Sequence, residues 1–151
     1  VSTHRTGAEE FAGAVEDVVE SPAVGVELTG LDVSLSDTSV TVDPTGAAVA
    51  AARTGVTAAS LCIADYGTLV LPDDGSGAEQ VSLFVDHHVA VLPESAVVPD
   101  MQTAFERFGT DPREARRSRI LATGPSATAD MGELVVGAHG PEEVTAILLE
   151  E

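Results

Sequence analysis

One carboxylate stands where it could act on a substrate, in the short sequence Asp65-Tyr66-Gly67-Thr68 between two apolar runs. Because those runs predict strands, we expect Asp65 at a strand end, where α/β proteins place ligands. Burial against an apolar sheet would raise the pKa of this carboxyl group, so that it could act as a general base or as a nucleophile toward an acyl group. The alternative is a turn acid whose oxygens only accept backbone hydrogen bonds.

Three histidines lie in segments where they could transfer a proton: His87, His88 and His139. Neighbouring side chains on a strand point to opposite faces, so at most one of the first two faces a given pocket, and we predict no metal site there. His139 lies in a glycine-bearing turn, where its ring could donate to an anion or exchange a proton. A purely structural histidine is the alternative at each position.

The sequence from Gly124 to Thr128 predicts an anion-binding loop. The turn dipeptide Gly124-Pro125 follows an apolar run, and Ser126 and Thr128 stand where a helix would begin. The free N–H groups in the first turn of a helix attract anions. We therefore predict that this loop holds a small carboxylate or phosphate.

These segments resemble a known family. The run 124–130, Gly-Pro-Ser-Ala-Thr-Ala-Asp, followed by Gly-Ala-His-Gly-Pro at 137–141, resembles the C-terminal signature of the LUD domain family. Segments 55–57, 63–70 and 88–91 occur upstream in the family's order. The resemblance implies a Rossmann-like sheet of the kind seen in ribose-phosphate isomerase and CoA-transferase relatives.

The resemblance also bears on single residues. The family usually has Glu-Thr-Gly-Thr or Glu-Thr-Gly-Ser at 65–68, similar to the glutamate loop of some CoA transferases, whereas this chain departs from that pattern at Asp65 and Tyr66. His88 matches a family histidine and is therefore favoured over His87 as a pocket-lining residue. The candidate catalytic residues are Asp65, His88 and His139, and the candidate ligand-binding or anion-binding residues are Tyr66, Gly67, Thr68, Gly124, Pro125, Ser126, Thr128 and Gly140.

The composition excludes several classes of chemistry. The chain has 151 residues and a formal charge of −18, from 25 acidic residues against seven arginines and no lysine. Walker-type phosphate loops, Schiff bases and pyridoxal attachment all need a lysine amine. Such a charge would repel a phosphate backbone, so nucleic acid is not an expected partner.

The same acidity predicts a dependence of stability on salt. Self-repulsion destabilises the folded chain at low ionic strength, whereas molar salt shortens the screening length to about 3 Å. We therefore hypothesise an extreme halophile as the source and expect a higher urea midpoint in molar KCl than in dilute buffer. Equal midpoints in the two buffers would favour the alternative, an ordinary acidic protein.

The compartment is predicted from cysteine usage and from apolar stretches. Cys62 is the only cysteine and lies in an apolar run, which predicts a small buried hydrophobic side chain rather than a disulfide or a metal ligand. No apolar stretch approaches the roughly 20 residues of a membrane span, and the first residues lack a hydrophobic signal region. We expect a cytoplasmic protein.

The order of predicted elements favours one α/β domain over residues 1–151, with a flexible tail at 1–7 and a mixed sheet. The resemblance implies that this domain has a Rossmann-like three-layer architecture. The predicted helices cover about 8–20 and 43–53, with another beginning at Pro99-Asp100 and ending at Gly109. The predicted strands are 40–42, 61–64, 68–71, 81–85, 89–92 and 144–149.

Three functional hypotheses remain open. The resemblance implies an accessory or ligand-binding component of lactate oxidation to pyruvate, with iron–sulfur clusters only on partner subunits, since one cysteine cannot hold a cluster. The alternatives are a stand-alone acyl-CoA or sugar-phosphate enzyme that uses Asp65, and a regulatory small-molecule-binding domain. A homodimer is the default assembly, because closed dimers are the commonest oligomers.

Overall fold

The computed structural model describes residues 1–110, 118–129 and 132–150. Its helices are α1 (Phe11–Val18), α2 (Gly46–Ala51), α3 (Ala78–Leu83) and α4 (Met101–Gly109). Its strands are β1 (Ser2–Thr6), β2 (Ala23–Gly25), β3 (Thr41–Val42), β4 (Thr54–Ala58), β5 (Leu61–Ile63), β6 (Thr68–Pro72), β7 (His87–Pro93), β8 (Val97–Val98), β9 (Arg119–Thr123), β10 (Ala127–Thr128), β11 (Val135–Val136) and β12 (Glu143–Leu149).

The central sheet has six strands in the order β1-β12-β7-β4-β2-β3, and each neighbouring pair is parallel. Strands covered on both faces read as continuous apolar runs, which is why 89–92 and 144–149 were recognisable as strands. Strand β7 pairs with β12 from His87 opposite Glu143 to Pro93 opposite Leu149.

A second sheet, in the order β8-β5-β6-β9, packs against one face of the central sheet. Its β5–β6 and β6–β9 pairs are antiparallel and its β5–β8 pair is parallel, so this sheet is the mixed one. One core cluster joins the two sheets, through residues such as Leu69, Leu92 and Leu148. Helix α1 covers the opposite face of the central sheet, through Phe11 and Val15.

Helices α2 and α3 lie beside the second sheet, where Val49 and Val81 pack on Val24. Helix α4 covers the outer face of the second sheet, with Ala104 against Ile63. These layers confirm the prediction of an α/β, Rossmann-like three-layer fold. Cys62 is buried as predicted, and burial raises the pKa of its thiol.

Two of the elements predicted before residue 110 are wrong. Residues 2–6 are not a flexible tail but an edge strand that pairs with β12, from Ser2 opposite Thr145 to Thr6 opposite Leu149. This strand is mostly polar and exposed, so no apolar run identified it. Residues 78–83 form helix α3 where a strand was predicted at 81–85. The buried positions 78, 81, 82 and 85 follow helical spacing, which the apolar content had obscured.

Candidate functional site at the amino-terminal edge of the central sheet

Three loops that carry the motif residues meet at one edge of the central sheet. They are the turn 64–67, the loop 124–126 and the loop 137–141, and we call this region the motif edge. Thr68 and Thr123 are paired across β6 and β9, and their hydroxyl oxygens lie 2.8 Å apart, so the first two loops are adjacent. The second and third loops meet at Ser126, whose backbone N–H donates to the carbonyl of Pro141 at 2.8 Å.

The motif edge is the amino-terminal edge of the parallel strands. The loop 137–141 precedes the first residue of β12, and the backbone N–H of Glu142 donates to the carbonyl of Asp86 just before β7. A Cβ atom added to Gly67 would lie 3.2 Å from Val1, the residue before β1. Asp65 follows the end of β5, but β5 belongs to the second sheet, so this strand end lies away from the carboxyl edge of the central sheet, where parallel sheets bind ligands.

The Asp65 turn is exposed. Asp65 and Tyr66 both lie on the surface, with Tyr66 63% exposed. The backbone N–H of Asp65 donates to the carbonyl of Pro99 at 3.1 Å, and Gly67 adopts a left-handed φ of 62° that closes the hairpin. Thr68 is buried and held by Thr123. The predicted burial of the Asp65 carboxylate against a sheet is contradicted, and the geometry is that of a turn acid.

The Ser126 loop begins no helix. Residues 127–128 form strand β10, which pairs antiparallel with β11, so the helix-terminus mechanism predicted for anion binding is wrong. Ser126 instead holds the closing loop: its carbonyl accepts from Gly137 at 2.8 Å and its Oγ accepts from the backbone N–H of His139 at 3.1 Å. Gly140 packs closely on Ser126, because an added Cβ would lie 3.2 Å from the Cβ of Ser126 and would require Ser126 to shift by a few tenths of an ångström.

The remaining residues of this loop are placed as follows. Gly124 has a left-handed φ of 65°, which turns the chain out of β9. Pro125 after it is exposed, and Thr128 is half-buried opposite Val135. Asp130, the last residue of the 124–130 motif, lies outside the described residues.

The two adjacent histidines point to opposite faces, as predicted, but His87 and not His88 lines a recess. His88 is 1% exposed and its Nε2 shares a 2.9 Å hydrogen bond with Oγ1 of Thr57. Burial lowers the pKa of His88 to about 4, with a smaller contribution from His87. His88 is thus a neutral interior group, and its prediction as a pocket-lining residue is wrong.

His87 lines a small polar recess on the motif edge. Its Nε2 shares a 2.8 Å hydrogen bond with Oγ1 of Thr145, which is in turn 2.8 Å from Oγ of Ser2. Burial lowers the pKa of His87, against an opposing effect of Glu143 and Glu20. The sequence feature that could have identified His87 is its position as the first residue of β7, because a side chain there can reach the edge of the sheet.

His139 is exposed and lines a neighbouring cleft of about 370 Å³. The other side chains around this cleft are apolar or acidic, and its lining residues are Leu83, Phe84, Val85, Asp86, Gly137, Ala138, His139, Gly140 and Glu142. Asp86 and Glu142 also line the recess of His87, so the recess and the cleft are adjacent. The structure therefore brings His139 and Gly140 together with His87, and leaves His88 inside.

The electrostatic character of this edge is acidic. Four carboxylates surround the recess, from Glu20, Asp86, Glu142 and Glu143, against one guanidinium. That group, Arg53, is already paired with Glu20 at 3.0 Å. Within residues 1–110, 118–129 and 132–150, no set of three or more His, Cys, Asp or Glu side chains is arranged to hold a metal ion. None of the helices described is long and apolar enough to cross a membrane.

Comparison with known proteins bears on the family and the fold. The lactate utilization protein C of Oceanobacillus iheyensis is 31% identical over 103 residues, covering 66% of this chain and 44% of that protein. Those of Macrococcus caseolyticus and Bacillus subtilis are 34% and 32% identical, covering 66% of this chain and 45% and 43% of theirs. The chain therefore spans less than half the length of these relatives.

A solved structure supports the fold over nearly the whole chain. The crystal structure of a DUF162 family protein from Deinococcus radiodurans at 1.70 Å resolution is similar with a TM-score of 0.69. The match covers 99% of this chain and 88% of that chain at 19% identity, which bears on the fold alone. The model of the LUD domain matches residues 28–149, a span that includes all three loops of the motif edge. This chain belongs to the LUD domain family.

Proposed function

We propose that this chain is an accessory component of the oxidation of lactate to pyruvate, and that it acts in the cytoplasm by docking on iron–sulfur partner subunits. The proposal is supported by relatives that are named lactate utilization protein C. A cluster held by cysteine thiolates would have to reside on the partners, because this chain has one cysteine and that cysteine is buried.

The observation that carries the docking role is an exposed apolar surface on the motif edge. Phe84 is 64% exposed and Leu83 43% exposed, both at the end of α3. Val135 and Val136, which directly precede the third loop, are 41% and 45% exposed. A Cβ added to Gly140 would lie 3.7 Å from Leu83, so the end of α3 contacts that loop. Exposed apolar groups gathered in this way mark interaction sites.

The charge on this edge favours docking over catalysis on an anion. Lactate, pyruvate, sugar phosphates and CoA esters are all negatively charged, and the recess beside the cleft is lined by four carboxylates. The carboxylates would repel these anions, and this repulsion weakens their binding. A stand-alone enzyme acting through Asp65 would also have to use an exposed carboxylate in a hairpin turn.

The experiment is co-purification of the tagged chain with co-expressed iron–sulfur subunits of lactate oxidation, in molar KCl. We expect the wild-type chain to retain these subunits, as measured by the iron content of the eluate. Replacement of Phe84 by serine removes the most exposed apolar side chain of the cleft and should lower the retained iron at least tenfold, since buried aromatic anchors dominate interfaces.

A matched control is available on α4, which covers the outer face of the second sheet. Phe105 on α4 is 63% exposed, almost the same as Phe84, but lies outside the motif edge. Phe105→Ser should leave the retained iron unchanged. Equal losses in the two variants, or a wild-type chain that retains no iron–sulfur subunit, would contradict the docking role. Turnover of an acyl-CoA or sugar phosphate that Asp65→Asn abolishes would favour the enzymatic alternative instead.

A further inference from the structure

The edge of the central sheet opposite the motif edge contains a topological switch point. In the order β1-β12-β7-β4-β2-β3, strand β2 lies between β3 and β4. The chain runs from β2 outward to β3, then returns past β2 to β4 and continues to β7 and β12. In open parallel sheets, the crevice outside the carboxyl ends of the strands at such a reversal is where ligands bind.

A cavity of about 320 Å³ lies at the same edge, beside β2 on the side of β3. It is formed by residues that directly follow β2 and β3 and by residues around the beginnings of α2 and α3; its lining residues are Val26, Asp43, Pro44, Gly46, Val49, Ser76, Gly77, Gln80 and Val81. This volume falls in the range of small-molecule sites. Space above Gly77 is open, since an added Cβ would have no neighbour closer than 3.9 Å.

The cavity has an apolar floor and a polar rim. Val26, Val49 and Val81 form the floor and are 3%, 7% and 2% exposed. The polar residues that line the cavity are Asp43, Ser76 and Gln80, and all three lie on the surface and form its rim. A flat apolar ring could lie on the valines while its polar edge and its hydroxyl groups meet the rim.

Asp43 is fixed at the end of β3. Its backbone N–H donates to the carbonyl of Gly25 at 3.1 Å, which anchors it to the last residue of β2. Its φ of 53° lies in the left-handed region, which aspartate and asparagine tolerate better than most residues. In dinucleotide-binding sheets, an acidic residue after the second strand of the βαβ unit accepts hydrogen bonds from the ribose hydroxyls. Asp43 has the corresponding position here, directly after β3, the neighbour of β2.

We propose that this cavity binds a ribonucleoside. The base would lie on the valine floor with Gln80 at its polar edge, and the carboxylate of Asp43 would accept hydrogen bonds from the 2′- and 3′-hydroxyls. A neutral nucleoside fits better than a nucleotide, because the chain carries a net charge of −18 and the rim itself carries a carboxylate.

The test is an NMR titration of the full chain with adenosine in molar KCl. We expect a dissociation constant below about 1 mM, with shifts concentrated at the backbone amides of Gly46, Gly77 and Gln80. 2′-Deoxyadenosine, which lacks one of the two hydroxyls, should bind about tenfold more weakly, because the carboxylate loses a charge-assisted hydrogen bond. Adenosine 5′-monophosphate should bind more weakly than adenosine in dilute buffer.

Two substitutions locate the effect. Asp43→Asn keeps a residue that tolerates the left-handed backbone but removes the charge, and should weaken adenosine binding about tenfold. Glu79→Gln makes the same charge change on an exposed residue of α3 that does not line the cavity, and should leave binding unchanged. No shifts with adenosine at millimolar concentration, shifts at other amides only, or equal affinity in wild type and Asp43→Asn would each overturn the proposal.

Discussion

Replacing Gly55 with alanine is expected to lower the free energy of unfolding by about 2–3 kcal/mol, the upper part of the usual range for an overpacked core. Gly55 lies in β4 where α3 crosses the sheet. A Cβ at this position would be 2.5 Å from the carbonyl oxygen of Val81 and 2.8 Å from its Cγ1. Because the closest atom belongs to the backbone of α3, the helix itself would have to move. Urea unfolding in molar KCl measures the effect.

The same substitution at Gly13 is the control. Gly13 lies inside α1, and an added Cβ there would have no neighbour within 4 Å. Because alanine is the better helix former, Gly13→Ala should raise the free energy of unfolding by about 0.5–1 kcal/mol. If both variants were destabilised alike, the close approach of α3 to β4 would not be the cause of the loss at position 55.

The second large effect concerns pH and His88. The pKa of this histidine is about 4 in the folded chain, against an ordinary value of 6.5. Between these two values the unfolded chain binds more protons than the folded chain, so the contribution of His88 makes stability fall as the pH falls from about 6.5 to about 4. The difference in pKa corresponds to about 3 kcal/mol.

Comparison with His88→Gln isolates this contribution from the titration of the many carboxylates. Glutamine can still bond to Thr57 but cannot take up a proton in this range. As the pH falls from 7 to 4, the wild type should therefore lose about 3 kcal/mol more of its free energy of unfolding than the variant does. His139→Gln, at an exposed position, controls for the loss of one imidazole. A difference that does not change with pH would contradict the buried, neutral state of His88.

Much of the fold was predictable because its central strands are buried on both faces. The apolar runs that form β7 and β12 need no alternation to be recognised. The predicted helix start at Asp100 is confirmed, because its side chain caps α4 by accepting a hydrogen bond from the backbone N–H of Thr103 at 2.8 Å. The elements that were missed lack such signals. Strand β1 is polar because it lies at an edge. Helix α3 ends in the mostly apolar stretch 81–85, whose length and content also suit a strand.

The candidate site was predictable only in part, because chain order does not determine to which edge of a sheet a loop belongs. The order of the motifs placed Ser126, His139 and Gly140 in one family signature, and these residues are in contact. The backbone N–H of His139 donates to Oγ of Ser126, and Gly140 packs closely on Ser126. The location of Asp65 depended on β5 turning back along the face of the central sheet, which no local pattern encodes. His88 shares a face of β7 with Ala90 and Leu92, which pack on the second sheet, and the sequence of β7 does not show how far either of its two covered faces extends to its first residues.

The pairing of β1 with β12 has a consequence for the order of folding. Ser2 and Thr145 are 143 positions apart, yet their hydroxyl oxygens lie 2.8 Å apart. Contacts of such long sequence separation close a large loop and form slowly. During synthesis β1 emerges long before its partner β12, whereas β2, β3 and β4 can assemble with one another in the meantime. The polar composition of β1 is compatible with this delay in pairing, because an exposed strand without apolar side chains offers little surface for aggregation.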